Sequence, residues 1–241
     1  MSDKISLAGD LGSGKSTVSA ILIEKLGAQY YSTGAIVREI AEKHGMTVGE
    51  LNVYMETHPE IDHEIDDGLV RLSDDDRLLI IDSRMAWHFT KGTFKVYLST
   101  DTVTSALRIM NANRVGEHAA TLEETVAQTK ARRESEKKRY FEQYGVNIKD
   151  LSNYSLIVDT TYATPDEIAA VIADGFAAWQ KDNTFTSVML SPKRLDLSAG
   201  EENGNVVVSE KDGTFTLMSG TAMVRAALEE GKTFIRAELR S

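Results

Sequence analysis

The sharpest chemistry in the chain lies in Gly9-Asp10-Leu11-Gly12-Ser13-Gly14-Lys15-Ser16, a glycine-rich turn closed by a lysine and a hydroxyl. Glycines 9, 12 and 14 let the backbone turn tightly and aim successive amide N–H groups at one anion, with Asp10 and Ser13 completing the turn. Lys15 supplies a mobile point charge for β and γ phosphates, and Ser16 offers a hydroxyl to Mg²⁺. Thr17 continues into a helical pattern, so the positive end of a helix dipole adds to the amides. The chemistry is phosphate binding, and the expected ligands are ATP and Mg²⁺.

Such a loop works between a strand and a helix. Ile5 to Ala8 is a short apolar run, and Val18, Ile21, Leu22 and Leu26 recur at helical spacing before Gly27 stops them. Leu78 to Ile81, Phe94 to Leu98 and Leu156 to Val158 read as strands buried on both faces, and Gln29 to Tyr31 as a shorter one. Helical patterns over 35–43, 60–72, 99–113, 121–144 and 165–181 separate them, and Thr47 with Glu50 marks a capping box. The alternation predicts an α/β, P-loop three-layer fold with a parallel five-stranded sheet and function at the carboxyl ends of its strands. After Lys181 the texture changes to short strands, a helix at 223–228 and a closing strand at 234–239. A boundary near 182–186 is expected, with a P-loop domain over 1–182 and a small α+β domain over 186–241.

Bulk properties narrow the class. The 241 residues carry a formal charge of −10, which argues against general binding to a nucleic-acid backbone. There is no cysteine, so neither a disulfide framework nor a thiolate metal site is possible, and a cytoplasmic location is expected. No apolar run approaches a membrane span, so no membrane partner is expected. The oligomeric state is not legible.

A phosphate loop alone does not define a reaction, but a kinase acting on a phosphorylated acceptor needs a second anion site facing the first. Arginine suits it, because a planar fork holds phosphate oxygens two at a time. Arg38 lies just beyond the second strand and Arg84 just beyond the third, and both are expected to face one cleft. At this point the chain resembles the cytidylate kinases, in particular the short archaeal type within the nucleoside monophosphate kinases. The resemblance is carried by Gly9 to Thr17, Ser32-Thr33-Gly34 with Arg38 to Ala41, Pro59 to Asp66 and Ile81 to Trp87, then by Arg132 to Tyr140, Tyr144 to Ser152 and Tyr154 to Thr160, and it covers nearly all of 1–182. It implies transfer of the γ-phosphoryl group of ATP to CMP or dCMP. Carried over, Ser32, Thr33, Gly34, Arg38 and Arg84 would line the monophosphate site, and Asp62 and Asp66 would close over the nucleoside. Asp82 would join Ser16 at Mg²⁺, Arg108 and Arg114 would flank a lid, and Arg132 and Arg139 would reach over the phosphates, with Arg108 also at the donor nucleotide. Asp82-Ser83-Arg84 departs from the glycine that the family often has in the middle.

Blander readings hold elsewhere. Arg133, Lys137 and Lys138 are expected on a solvated helix face, and Asp74 to Asp76 in a polar loop. His44, His58, His63, His88 and His118 have no metal-ligand spacing, and Trp87 and Trp179 read as core. Leu217 to Leu239 weakly resembles the end of a ParB/sulfiredoxin-like fold, which implies a small interaction or regulatory domain, with nucleotide binding at Arg225 a lesser alternative. The expected function is therefore a cytidylate-type kinase with small-molecule nucleotide partners. The alternatives are a kinase for another nucleoside monophosphate or small metabolite, and a nucleotide-sensing regulatory protein without turnover.

Overall fold

The computed structural model describes residues 4–112, 121–211 and 213–240. Arg114 and His118 lie outside the described residues.

Six parallel strands form the frame, in the order β2 (Gln29–Ser32), β3 (Leu79–Asp82), β1 (Lys4–Gly9), β4 (Thr93–Ser99), β5 (Leu156–Asp159) and β6 (Ser187–Leu190). The five parallel strands expected are the first five, and β6 adds a sixth. Beyond it the sheet continues through β9 (Ile235–Arg240), antiparallel to β6, then β7 (Val207–Lys211), parallel to β9, and β8 (Thr214–Ser219), antiparallel to β7. The boundary expected at 182–186 falls in the connection before β6, and the sheet crosses it.

Period-two alternation explains the layers. Ile5, Leu7, Ile80, Val96, Leu98 and Val158 face α1 (Lys15–Leu26) and α8 (Pro165–Lys181), against Val18, Leu22, Ile168, Ile172 and Phe176. Ala8, Ile81, Tyr97 and Ile157 point the other way, toward Leu69 of α4 (Pro59–Arg71), α5 (Ala86–Phe89), the 146–154 loop and Val224 of α9 (Thr221–Glu229). Trp87 and Trp179 pack in these layers as expected. A smaller core joins α2 (Thr33–Lys43), α3 (Val48–Met55) and α4 through Ala41, Leu51, Met55 and Ile65. The Thr47–Glu50 capping box is formed at the start of α3.

The remaining helices are α6 (Thr102–Asn111) and the 23-residue α7 (Leu122–Tyr144). α6 starts later than the apolar pattern suggests because Asp101 caps it, accepting from the amides of Val103 and Thr104. Among the described residues no helix is long and apolar enough to cross a membrane.

Candidate active site

The register brings Gly9, Ser32, Asp82, Ser99 and Asp159 to one edge of the sheet, where an open α/β sheet presents its ligands. The phosphate loop leaves β1 there. Gly9, Gly12 and Gly14 have φ of 149, 69 and 86°. At Gly12 the need is also steric, because a Cβ would stand 2.5 Å from the Ser105 carbonyl oxygen. Lys15 Nζ donates to the carbonyls of Gly9 and Asp10, at 3.2 and 3.0 Å. Burial lowers its pKa to about 8, against the pull of Asp82. Ser13 Oγ is buried with no hydrogen-bond partner, a donor available to a phosphate oxygen. Ser16 and Thr17 lie exposed in the first turn of α1. Asp82 accepts a hydrogen bond from Tyr30 at 3.0 Å and acts electrostatically on Lys15. A hydroxyl and a carboxylate at the mouth of this loop fit a hard divalent cation.

Asp10 has a role that its loop position did not foretell. Its buried carboxylate accepts from Tyr97 Oη at 3.0 Å and from the Thr100 amide at 3.0 Å, and it pairs with Lys149 and, at 3.4 Å, with Arg133 of α7. Burial would raise its pKa, but Lys149 and Arg133 outweigh burial and hold it below the ordinary carboxylate value. Arg133 is thus turned inward over the phosphate loop, with 18% of its side chain exposed, rather than solvated as expected. Lys138 does lie on the solvated face, beside Glu56. A cleft of about 450 Å³ opens between the phosphate loop, α7, the 147–154 loop and Glu210 and Lys211 of β7.

A second, tighter cleft of about 50 Å³ lies between α2, α3, α4 and α7, lined by Thr33, Gly34, Asn52, Asp62, Asp66, Arg84, Arg132 and Arg139 among others. Arg84 pairs with Glu136, whose other oxygen accepts from Arg132 Nε at 3.1 Å. Burial opposes the Glu136 charge, yet Arg84 and Arg132 pull its pKa below the ordinary value. Arg139 is buried against Asp62 at 2.7 Å and donates to the Asn52 carbonyl at 3.1 Å. Asp66, one turn on, accepts from Tyr144 Oη at 2.6 Å, and burial raises its pKa to about 6. Ser32 caps α2 through the Ala35 amide. Arg38 is exposed at the rim beside Gly34, whereas Arg84 lies inside, so the two do not sit at equal depth.

A third cleft, of about 260 Å³, flanks α1 and is lined by Gly12, Gly14, Thr17, Arg108, Ala163 and Pro165 among others. Arg108 of α6 donates to the Thr160 carbonyl at 2.7 Å and the Gly12 carbonyl at 3.5 Å. Sequence reasoning places Arg133 on the wrong face and does not single out Glu136 or Lys149, whose partners Arg84 and Asp10 lie far away along the chain.

A family model described as an AAA domain matches residues 9–136. Cytidylate kinase of Thermoplasma volcanium is 34% identical over 193 residues, spanning 78% of this chain and 98% of that protein. Cytidylate kinase of Sulfurisphaera tokodaii is 35% identical over 170 residues, 70% of this chain and 92% of its own. The chain belongs to the cytidylate kinase family. An S-adenosylmethionine-dependent nucleotide dehydratase of Lacinutrix mariniflava is similar over 192 residues at 34% identity, which is 38% of its length. Among solved structures, an uncharacterized protein from Eubacterium ventriosum has a TM-score of 0.53 at 14% identity, covering 73% of this chain and 98% of its own. A gluconokinase from Sinorhizobium meliloti has a TM-score of 0.50 at 15% identity, covering 75% and 94%. These two show the fold alone.

Proposed function

We propose that this chain transfers the γ-phosphoryl group of ATP to CMP or dCMP. The observation that carries the reading is a donor cleft beside α1, lined by Gly12, Ser13, Gly14 and Arg108, together with an acceptor cleft lined by Arg84, Arg132 and Arg139. Phosphoryl transfer depends on positioning and charge neutralisation, and it needs no covalent help from the protein. Lys15, the loop amides and Ser13 hold the donor phosphates, and Arg108 flanks the donor nucleotide. Ser16 and Asp82 would hold Mg²⁺, which neutralises charge on the phosphate oxygens when bound. Arg84, with Arg38 at the rim and Ser32, Thr33 and Gly34 beside it, takes the acceptor phosphate. Arg132 and Arg139, with Arg133, bring α7 over the reacting groups and exclude water.

The acceptor cleft also bears on the base. Asp62 and Asp66 present buried carboxylates, which accept hydrogen bonds from the exocyclic amino group of cytosine. Uracil presents a carbonyl oxygen at that position, so the same carboxylates repel it. The cytoplasm is the compartment we infer, from the cysteine-free sequence. We assign phosphoryl transfer to 1–182 and treat 186–241 as an accessory piece.

The test is ADP release from Mg-ATP with CMP, dCMP, UMP, AMP and GMP offered in turn, with Arg84→Ala as control. Preference for CMP or dCMP that the variant loses supports the reading. Equal turnover with every acceptor refutes it, as does ATP binding without any acceptor-stimulated turnover.

A further inference from the structure

The short turn at Pro192–Arg194, just after β6, grips the loop that follows β5. Asp159, the last residue of β5, is fully buried, and phosphoryl transfer makes no direct use of it. Its Oδ1 accepts from the Thr161 amide at 3.1 Å, the Thr161 hydroxyl at 2.6 Å and Arg194 Nη1 at 3.0 Å. Its Oδ2 accepts from the Ser191 amide at 3.2 Å. The other fork of Arg194 donates to the Gly213 carbonyl at 2.9 Å, in the β7–β8 hairpin, and its guanidinium lies 5.4 Å from the Phe215 ring centroid. Lys193 stands 5.7 Å from the ring centroid of Tyr162, and Thr233 Oγ1 donates to Glu167 at 2.5 Å at the start of α8. Residues C-terminal to β6 thus hold the 159–167 loop at three points.

That loop is one wall of the cleft beside α1. Ala163 and Pro165 line the cleft, and the carbonyls of Thr160 and Thr161 accept from Arg108, which also reaches Gly12 of the phosphate loop. We propose that Arg194 is a positioning residue for the donor nucleotide. Through Asp159 it fixes the 160–165 loop and Arg108 against the phosphate loop, so that residues 186–241 shape the donor cleft without touching its ligand. Arginine is required because its fork satisfies a buried carboxylate and a backbone carbonyl at once, whereas lysine presents one ammonium. The inference rests on the donor nucleotide lying in this cleft, as the proposed function has it.

The experiment is calorimetric binding of Mg-ATP and, separately, of CMP to the full-length protein, its Arg194→Met and Arg194→Lys variants, and Thr161→Val. Arg194→Met is expected to weaken Mg-ATP binding at least fivefold while CMP binding stays within twofold. Arg194→Lys should recover part of the loss, and Thr161→Val should shift Mg-ATP binding in the same direction by a smaller factor. Equal weakening of both ligands would mean a general structural role and overturn the proposal, as would unchanged Mg-ATP binding in folded Arg194→Met. Should Arg194→Met fail to fold, Arg194→Lys and Thr161→Val decide, and no Mg-ATP shift in either overturns it. Wild-type protein that binds Mg-ATP without phosphorylating CMP refutes the proposed reaction but leaves this comparison intact.

Discussion

Replacing Asp66 with asparagine should make the protein more stable and a poorer kinase, with both effects arising from one carboxylate. Asp66 is 6% exposed, and burial raises its pKa from 3.8 to about 6. Asp62, one turn away on α4, is raised too, by burial more than Arg139 offsets. As pH rises from 4, the unfolded chain releases the Asp66 proton first while the folded chain retains it. Unfolding is thereby favoured increasingly until the folded carboxyl also ionises, near pH 6, and the cost is constant above that. Two pH units correspond to about 3 kcal/mol, and solvent reaching the half-open cleft screens this to about 2 kcal/mol. The asparagine side chain would still accept from Tyr144 Oη and carry no charge. Thermal unfolding of Asp66→Asn at pH 7.5 should therefore lie about 4–8 °C above wild type, a gap that closes as pH falls toward 4. The catalytic efficiency toward CMP should fall at least several-fold, because an amide accepts from the cytosine amino group less strongly than a carboxylate. A gap independent of pH, or a wild type more stable than the variant at pH 7.5, would refute the reasoning.

Four further outcomes are expected. Lys15→Ala should lose ~10³-fold or more in turnover with its circular dichroism unchanged, and in the wild type kcat/KM for ATP should fall as pH rises through about 8, where the free enzyme's Lys15 gives up its proton. Gly12→Ala places a Cβ against the Ser105 carbonyl at a φ of 69°, and denaturant unfolding should register a loss of about 2 kcal/mol together with weaker Mg-ATP binding. Arg139→Met leaves buried Asp62 without its cation and should cost about 3–5 kcal/mol in the same assay, of which Asp62→Asn in the double variant restores a part.

What the sequence disclosed and what it hid follow from the range of the interactions. The phosphate loop, the capping box at Thr47 and the Pro165 start of α8 are each written within a few residues, and local signals of that kind survive without a partner. Arg133 read as one charge among many on α7, because the carboxylate that turns it inward, Asp10, lies far away in sequence. Lys149, 139 positions from the same carboxylate, was invisible for the same reason. Glu136 stands four residues after Arg132 and pairs with it, but its second oxygen holds Arg84, which only the fold brings near. Phe185 to Leu190 reads as a short strand, but nothing within it says which edge it joins, and the parallel pairing of β6 to β5 is a long-range choice.

The central claim is tested most directly by following the phosphoryl group itself. With γ-labelled Mg-ATP and CMP, the label should appear on the β-phosphate of CDP, one equivalent for each ADP formed. Label released as inorganic phosphate, or retained in ATP while the nucleotide stays bound, would contradict it.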